Sequence, residues 1–262
     1  MKKSELIHLK NWFTDYVSGY YTADSEYNRA IRLKEEHTKR VCDNIVMLGK
    51  SLDISEQEML LAETMALLHD IGRFKQYAVY GTFKDMDSEN HARLGLQQIG
   101  MHKILNVFSK YEKRLIAKAI AYHNVAVLPN VEDKKMLFFM RLLRDADKLD
   151  IWKVVIDYYH EREKNPSTTI ELGLADEPEC SPQVLQTLKE CKIVRINDLK
   201  TLNDFKLLMI GWAFDLNFAP SFQAVQSHKY LEQLASTLPQ SKQVKEAVKQ
   251  AHDHVIRCSG EV

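Results

Sequence analysis

The sequence predicts an all-α fold. Three observations carry that expectation: apolar residues recur at helical spacing along most of the chain, no stretch alternates apolar and polar residues over strand length, and breakers are sparse, with nine glycines and six prolines in 262 residues. A first helix is predicted over residues 5–17 and stops at Gly19-Tyr20-Tyr21-Thr22. Asp24 or Ser25 opens a long second helix that runs to Lys50. Ser55-Glu56-Gln57-Glu58 is a capping box for a third, which ends at His69. Residues 71–87 mix aromatic and charged side chains around Gly72 and Gly81 without a clear period, which predicts a loop of the kind that carries ligand contacts. Ser88 is expected to cap a helix over 88–99 that holds His91 in its first turn, followed by helices over 111–123 and 132–161.

Beyond Arg162 the pattern loosens. Residues 163–169 predict a turn and 169–174 a short extended piece. Helical spacing returns from Ser181, continues through Leu199, Leu202, Phe205 and Leu208, and then covers 221–234 and 241–254. The run Leu207-Leu208-Met209-Ile210-Gly211-Trp212-Ala213-Phe214 is too continuously apolar for a free surface helix. The expected organisation is therefore a helical core over 1–160 and a mostly helical C-terminal extension over 161–262 packed onto it.

Composition excludes several classes. Thirty-six basic residues balance 36 acidic ones, so no net field draws the chain onto a nucleic-acid backbone. The four cysteines, Cys42, Cys180, Cys191 and Cys258, are scattered without a Cys-x-x-Cys pair, which predicts reduced thiols and no cysteine zinc site. The start Met1-Lys2-Lys3-Ser4-Glu5-Leu6-Ile7-His8 lacks the apolar core of a signal peptide, and no window approaches the roughly 18 apolar residues of a membrane span. A cytoplasmic location is expected.

The chemistry concentrates in histidines and aspartates. Met65-Ala66-Leu67-Leu68-His69-Asp70 ends an apolar run in an adjacent imidazole and carboxylate, a pair costly to desolvate without a cation or a hydrogen-bond network. His69 follows Leu61 and Met65 by eight and four residues, and His37 precedes Val41, Ile45 and Leu48 by four, eight and eleven. His123 follows Ile116 and Ile120 by seven and three, and Asp147 follows Met140 and Leu143 by seven and four. All four thus point inward from helices. A single inward histidine is ordinarily a core residue with one hydrogen bond. Several inward ionisable groups in one core must neutralise or pair, and a transition metal satisfies imidazoles and carboxylates together. Imidazole-rich donors of this kind favour Fe, Mn, Co, Ni or Zn over Mg. The other histidines, His8, His102, His160, His228, His252 and His254, lack that spacing and are assigned to surface or packing.

The order His37, His69-Asp70, Asp147 resembles the defining pattern of the HD-domain metal-dependent phosphohydrolase superfamily. The added His91 and His123 resemble the members that bind two metals. The wordings His69-Asp70-Ile71-Gly72-Arg73, Tyr122-His123-Asn124 and Arg144-Asp145-Ala146-Asp147-Lys148-Leu149-Asp150 are similar to that family, over a stretch of roughly 30–151. Past residue 160 no standard catalytic motif appears.

The resemblance implies an HD-domain helical bundle with one or two divalent transition metal ions. His37, His69, Asp70 and Asp147 would hold the first, with Asp70 bridging, while His91 and His123 would hold the second or line the pocket. Arg73 is placed to clamp phosphate, Lys148 resembles the lysine that often follows the family's last aspartate, and Asp150 is a candidate to orient a ligand histidine. Asp70, Arg73 and Lys148 are thus the expected catalytic residues, with Lys75 a weaker candidate. The implied activity is cleavage of a phosphomonoester or phosphodiester, foremost of a nucleotide, by a metal-activated hydroxide. The same ligand set also resembles diiron oxygenases that use O₂. A non-catalytic nucleotide sensor would keep the fold, against which stand six filled ligand positions.

Overall fold

The capping signals seen in the sequence set the first helices of the computed structural model, which describes residues 2–163 and 168–260. Two compact units, Met1–Asp147 and Lys148–Val262, divide the chain.

In the first unit, α1 (Lys3–Ser18) buries Leu6, Leu9, Phe13 and Val17, one stripe at helical spacing. The Asp24 side chain accepts from the Glu26 and Tyr27 amides and starts α2 (Ser25–Ser51). The Ser55–Glu58 capping box forms and opens α3 (Glu56–Leu68), which is buried from Leu60 onward except at Glu63. That helix is the centre of the unit, with α1, α2 and α6 (Lys110–Tyr122) packed around it. Ser109 and Glu112 form a second capping box at the start of α6. The unit closes with the first half of α7 (Lys134–Glu161), which buries Met136, Phe139, Met140, Leu143 and Ala146.

Residues 71–87 differ from the predicted loop. Ile71–Tyr80 is a helix, α4, ended by Gly81 in the left-handed conformation at φ 65°, and Asp85–Asp87 is a 3-10 turn. Gly72 reads as a breaker in the sequence, yet here it serves packing. A Cβ at that position would lie 2.2 Å from the His91 carbonyl oxygen and 2.4 Å from the Gly95 amide nitrogen. Only a glycine lets α4 approach α5 (His91–Met101) so closely. The cap of α5 is also corrected: Asn90, not Ser88, accepts from the Arg93 amide at 3.0 Å. Ser88 is engaged instead by the Lys84 carbonyl and the Gln76 amide group.

In the second unit, Trp152 on α7 is fully buried and its indole N–H donates to the Met209 carbonyl at 3.0 Å. Met209 belongs to α10 (Leu202–Gly211), every residue of which is buried among α9 (Pro182–Lys189), α12 (Tyr230–Ser236) and α13 (Lys242–Cys258). The extended piece expected over 169–174 is a helical turn, α8 (Thr168–Glu171), stopped by Leu172 and Gly173 at φ 56° and 63°. The turn expected over 163–169 falls largely on 164–167, outside the described residues. The helix expected over 221–234 is two, α11 (Ala219–Ser227) and α12, interrupted where Lys229 takes the left-handed conformation at φ 53°. Among the described residues pairing of extended backbone is confined to an isolated bridge between Ala175 and Thr201, so the fold is all-α. No helix among them is long and apolar enough to cross a membrane.

Candidate metal centre

Helix ends deliver the central histidines. His69 and His123 cap the C-termini of α3 and α6, and each ring turns back onto its own helix. The Nδ1 of His69 donates to the Ala66 carbonyl and that of His123 to the Ile120 carbonyl, both at 2.7 Å. A carbonyl oxygen only accepts, so the ring proton of each sits on Nδ1 and Nε2 presents a lone pair to the interior. His37 reaches the same interior from the buried stripe of α2, between Ile31 and Val41. His91, the first residue of α5, arrives from the opposite side with Nδ1 at 2.8 and 2.9 Å from the Asp85 carboxylate oxygens. The backbone around two of these groups is pinned by side chains. Arg144 donates to the carbonyls of Tyr122, His123 and Val125, and Asn44 donates to that of Ala146 beside Asp147.

Asp70 stands between the two pairs of imidazoles. Its Oδ2 lies 3.6 Å from His37 Nε2 and 3.8 Å from His69 Nε2. Its Oδ1 lies 3.4 Å from His91 Nε2 and 3.7 Å from His123 Nε2. Asp147 Oδ1 completes the first pair at 3.2 Å from His37 and 3.7 Å from His69. Three sets can therefore hold a metal ion: His37, His69 and Asp70; His69, His123 and Asp147; and Asp70, His91 and His123. All six residues named from the sequence meet in one place.

The donor set fits a cation. His91 Nε2 and His123 Nε2 face each other at 2.9 Å, and with both protons held on Nδ1 they offer two lone pairs to the same point. That contact is repulsive unless positive charge lies against it. Protonation does not supply the charge readily, because burial, then the Arg73 charge, pushes His91 down to about 3. Burial likewise takes His69 down to about 4 against the pull of Asp70 and Asp147. Burial acts to raise the Asp70 carboxyl, but Lys34, His69 and Arg73 outweigh it and hold it well below the usual carboxylate range. Asp147 is also held low, burial being overcome by its hydrogen bond to His37. Neutral His69 and His91 beside ionised Asp70 and Asp147 are the forms that bind divalent transition metals.

The neighbouring cations divide. Arg73 Nε lies 3.4 Å from Asp70 Oδ1, while its Nη1 donates to Gln76, the Phe83 carbonyl and Asp85, so the guanidinium spans Asp70 and Asp85. Lys34, absent from the expected set, contacts Asp70 Oδ2 through Nζ at 2.8 Å. It lies one turn before His37 on the stripe Ile31, Lys34, Thr38, Val41, and a lysine on a buried stripe was the available signal. Asp85 was missed as well. Lys75 is exposed. Lys148, the first residue of the second unit, pairs with Asp215 at 2.7 Å, and Asp150 of the same unit is buried. Four of the other six histidines find aromatic or carboxylate neighbours: His102 meets Trp12 and Tyr16, His228 stacks on Tyr230, His254 touches Phe214 and Phe222, and His252 pairs with Glu232, while His8 and His160 are exposed.

No curated protein and no solved structure matches the chain. The HD domain family matches residues 35–196, well over half of it, in a span that includes all six converging side chains. On that match, and on His and Asp groups able to bind a metal, the chain belongs to the HD domain family, within a superfamily of metal-dependent phosphohydrolases.

Proposed function

We propose that the chain hydrolyses a phosphomonoester or phosphodiester, foremost of a nucleotide, at a binuclear centre held by His37, His69, Asp70, His91, His123 and Asp147. One observation carries this reading: the two oxygens of Asp70 face two different pairs of imidazoles. A carboxylate so placed would offer one oxygen to each of two ions. Two divalent transition metals held there would acidify a water and neutralise phosphoryl oxygens. Fe, Mn, Co, Ni and Zn suit imidazole and carboxylate donors better than Mg.

The chain's own residues then bind and orient the substrate. Lys34 Nζ, already against Asp70, is the cation best placed to take a phosphoryl oxygen, while Arg73 steadies Asp70. The Phe83 ring, partly exposed, lies 5.5 Å from Lys34 Nζ and 6.0 Å from the Arg73 guanidinium carbon. A flat ring beside phosphate-binding cations suits the base of a nucleotide. The test is a panel of nucleotides and a generic phosphodiester, assayed with Mn²⁺ or Co²⁺. Phosphate or nucleotide release independent of oxygen is expected, and metal-loaded protein inert on the whole panel would count against the reading. Lys34→Gln should retain bound metal but lose about a hundredfold in kcat/KM, the scale of one charge-stabilising donor. Unchanged kinetics would remove Lys34 from substrate binding.

A further inference from the structure

We infer that Asp85 is a positioning residue that holds His91 for the second metal ion. The inference rests on the metal-site reading above and adds to it a residue outside the ligand set.

The need for such a residue follows from where the histidines sit. His69 and His123 follow helix C-termini, so each finds a carbonyl three residues back to take its Nδ1 proton. His91 is the first residue of α5, and residues 88–90 before it are not helical, so it has no helix carbonyl three residues back. Its ring must be fixed by a side chain, and Asp85, in the 3-10 turn six residues earlier, places both oxygens within 2.9 Å of Nδ1. The carboxylate puts the proton on Nδ1 and turns the Nε2 lone pair toward Asp70 and His123. It also raises the donor strength of the ring.

Asp85 is itself held. Arg73 Nη1, Gln76 Nε2 and the His91 backbone amide donate to Oδ1 at 3.2, 2.9 and 3.3 Å, and Asn90 Nδ2 and Asn124 Nδ2 donate to Oδ2 at 3.3 and 3.2 Å. Asn124 adjoins His123, so one carboxylate is tied to both imidazoles of that half. Arg73 carries the connection on to Asp70. Five donors besides the His91 ring converge on one partly buried carboxylate, more than a surface turn needs.

The test is a cobalt titration of the full chain, stripped of metal, read by visible d–d absorption and by equilibrium dialysis. Wild-type protein should take up two equivalents. Asp85→Asn should bind the first with wild-type affinity and spectrum and the second about 10- to 100-fold more weakly, the usual effect of losing such a partner. Asp85→Glu, which keeps the charge, should bind the second ion more tightly than Asp85→Asn. A purely structural role would weaken both equivalents together or neither. If Asp85→Asn does not fold, Asn124→Ala replaces it, with a smaller loss confined to the second ion. Two equivalents bound by Asp85→Asn with wild-type affinity would overturn the inference, as would a single wild-type equivalent untouched by the substitution. Wild-type protein that takes up no cobalt would overturn the metal-site reading itself, a distinct result.

Discussion

Asp70→Ala should lose tightly bound metal and hydrolysis together, with turnover down more than about a hundredfold. The expectation follows from geometry. Among the described residues Asp70 is the one carboxylate whose two oxygens face both imidazole pairs, so its removal takes a donor from each half. It also removes the carboxylate against Lys34 and one of the two that Arg73 spans, which adds repulsion to any incoming cation. Asp70→Asn keeps the shape and removes the charge, and it should show the same double loss if the folded state of the alanine variant suffers. Metal content by elemental analysis and release of phosphate from the best substrate are the two readouts. A folded variant that kept full turnover would contradict the assignment.

Gly72→Ala should destabilise the first unit by about 3 kcal/mol, a cost at the upper end for overpacking because the obstacles are backbone atoms. The added Cβ meets the His91 carbonyl oxygen and the Gly95 amide nitrogen, neither of which can swing aside as a flexible side chain would. α4 must move away from α5, and His91 moves with it. A fall in melting temperature on the order of 10 °C is expected. Second-site metal affinity should fall with it, since Arg73 and Gln76, the tethers of Asp85, ride on α4. A variant with wild-type melting temperature would show that the two helices separate at little cost.

Four of the six candidate ligands were legible because each sits in local, periodic sequence, while Asp70 was read from its place beside His69 and His91 from the family resemblance. His37, His69, His123 and Asp147 share helix faces with apolar residues, and such faces survive folding unchanged. What escaped depends on tertiary approach. Lys34 lies on the buried stripe of α2, but nothing local names its partner until Asp70, 36 residues away, is brought against it. Asp85 reads as one acid among several in Asp85-Met86-Asp87 until the 3-10 turn aims it at His91. The helix α4 was hidden because Gly72, a poor helix former, is required for contact with α5 and not for conformational freedom. The break between α11 and α12 falls on Lys229, a residue type that gives no compositional sign of a left-handed turn.

The most direct measurement is the metal content of protein purified without added metal or chelator, by elemental analysis, with turnover assayed on the same sample under air and under nitrogen. A binuclear hydrolase predicts about two equivalents of transition metal per chain and the same turnover in both atmospheres. Absence of metal in both native and reconstituted protein would contradict the account, and iron with oxygen-dependent turnover would move the centre from hydrolysis to oxygenation.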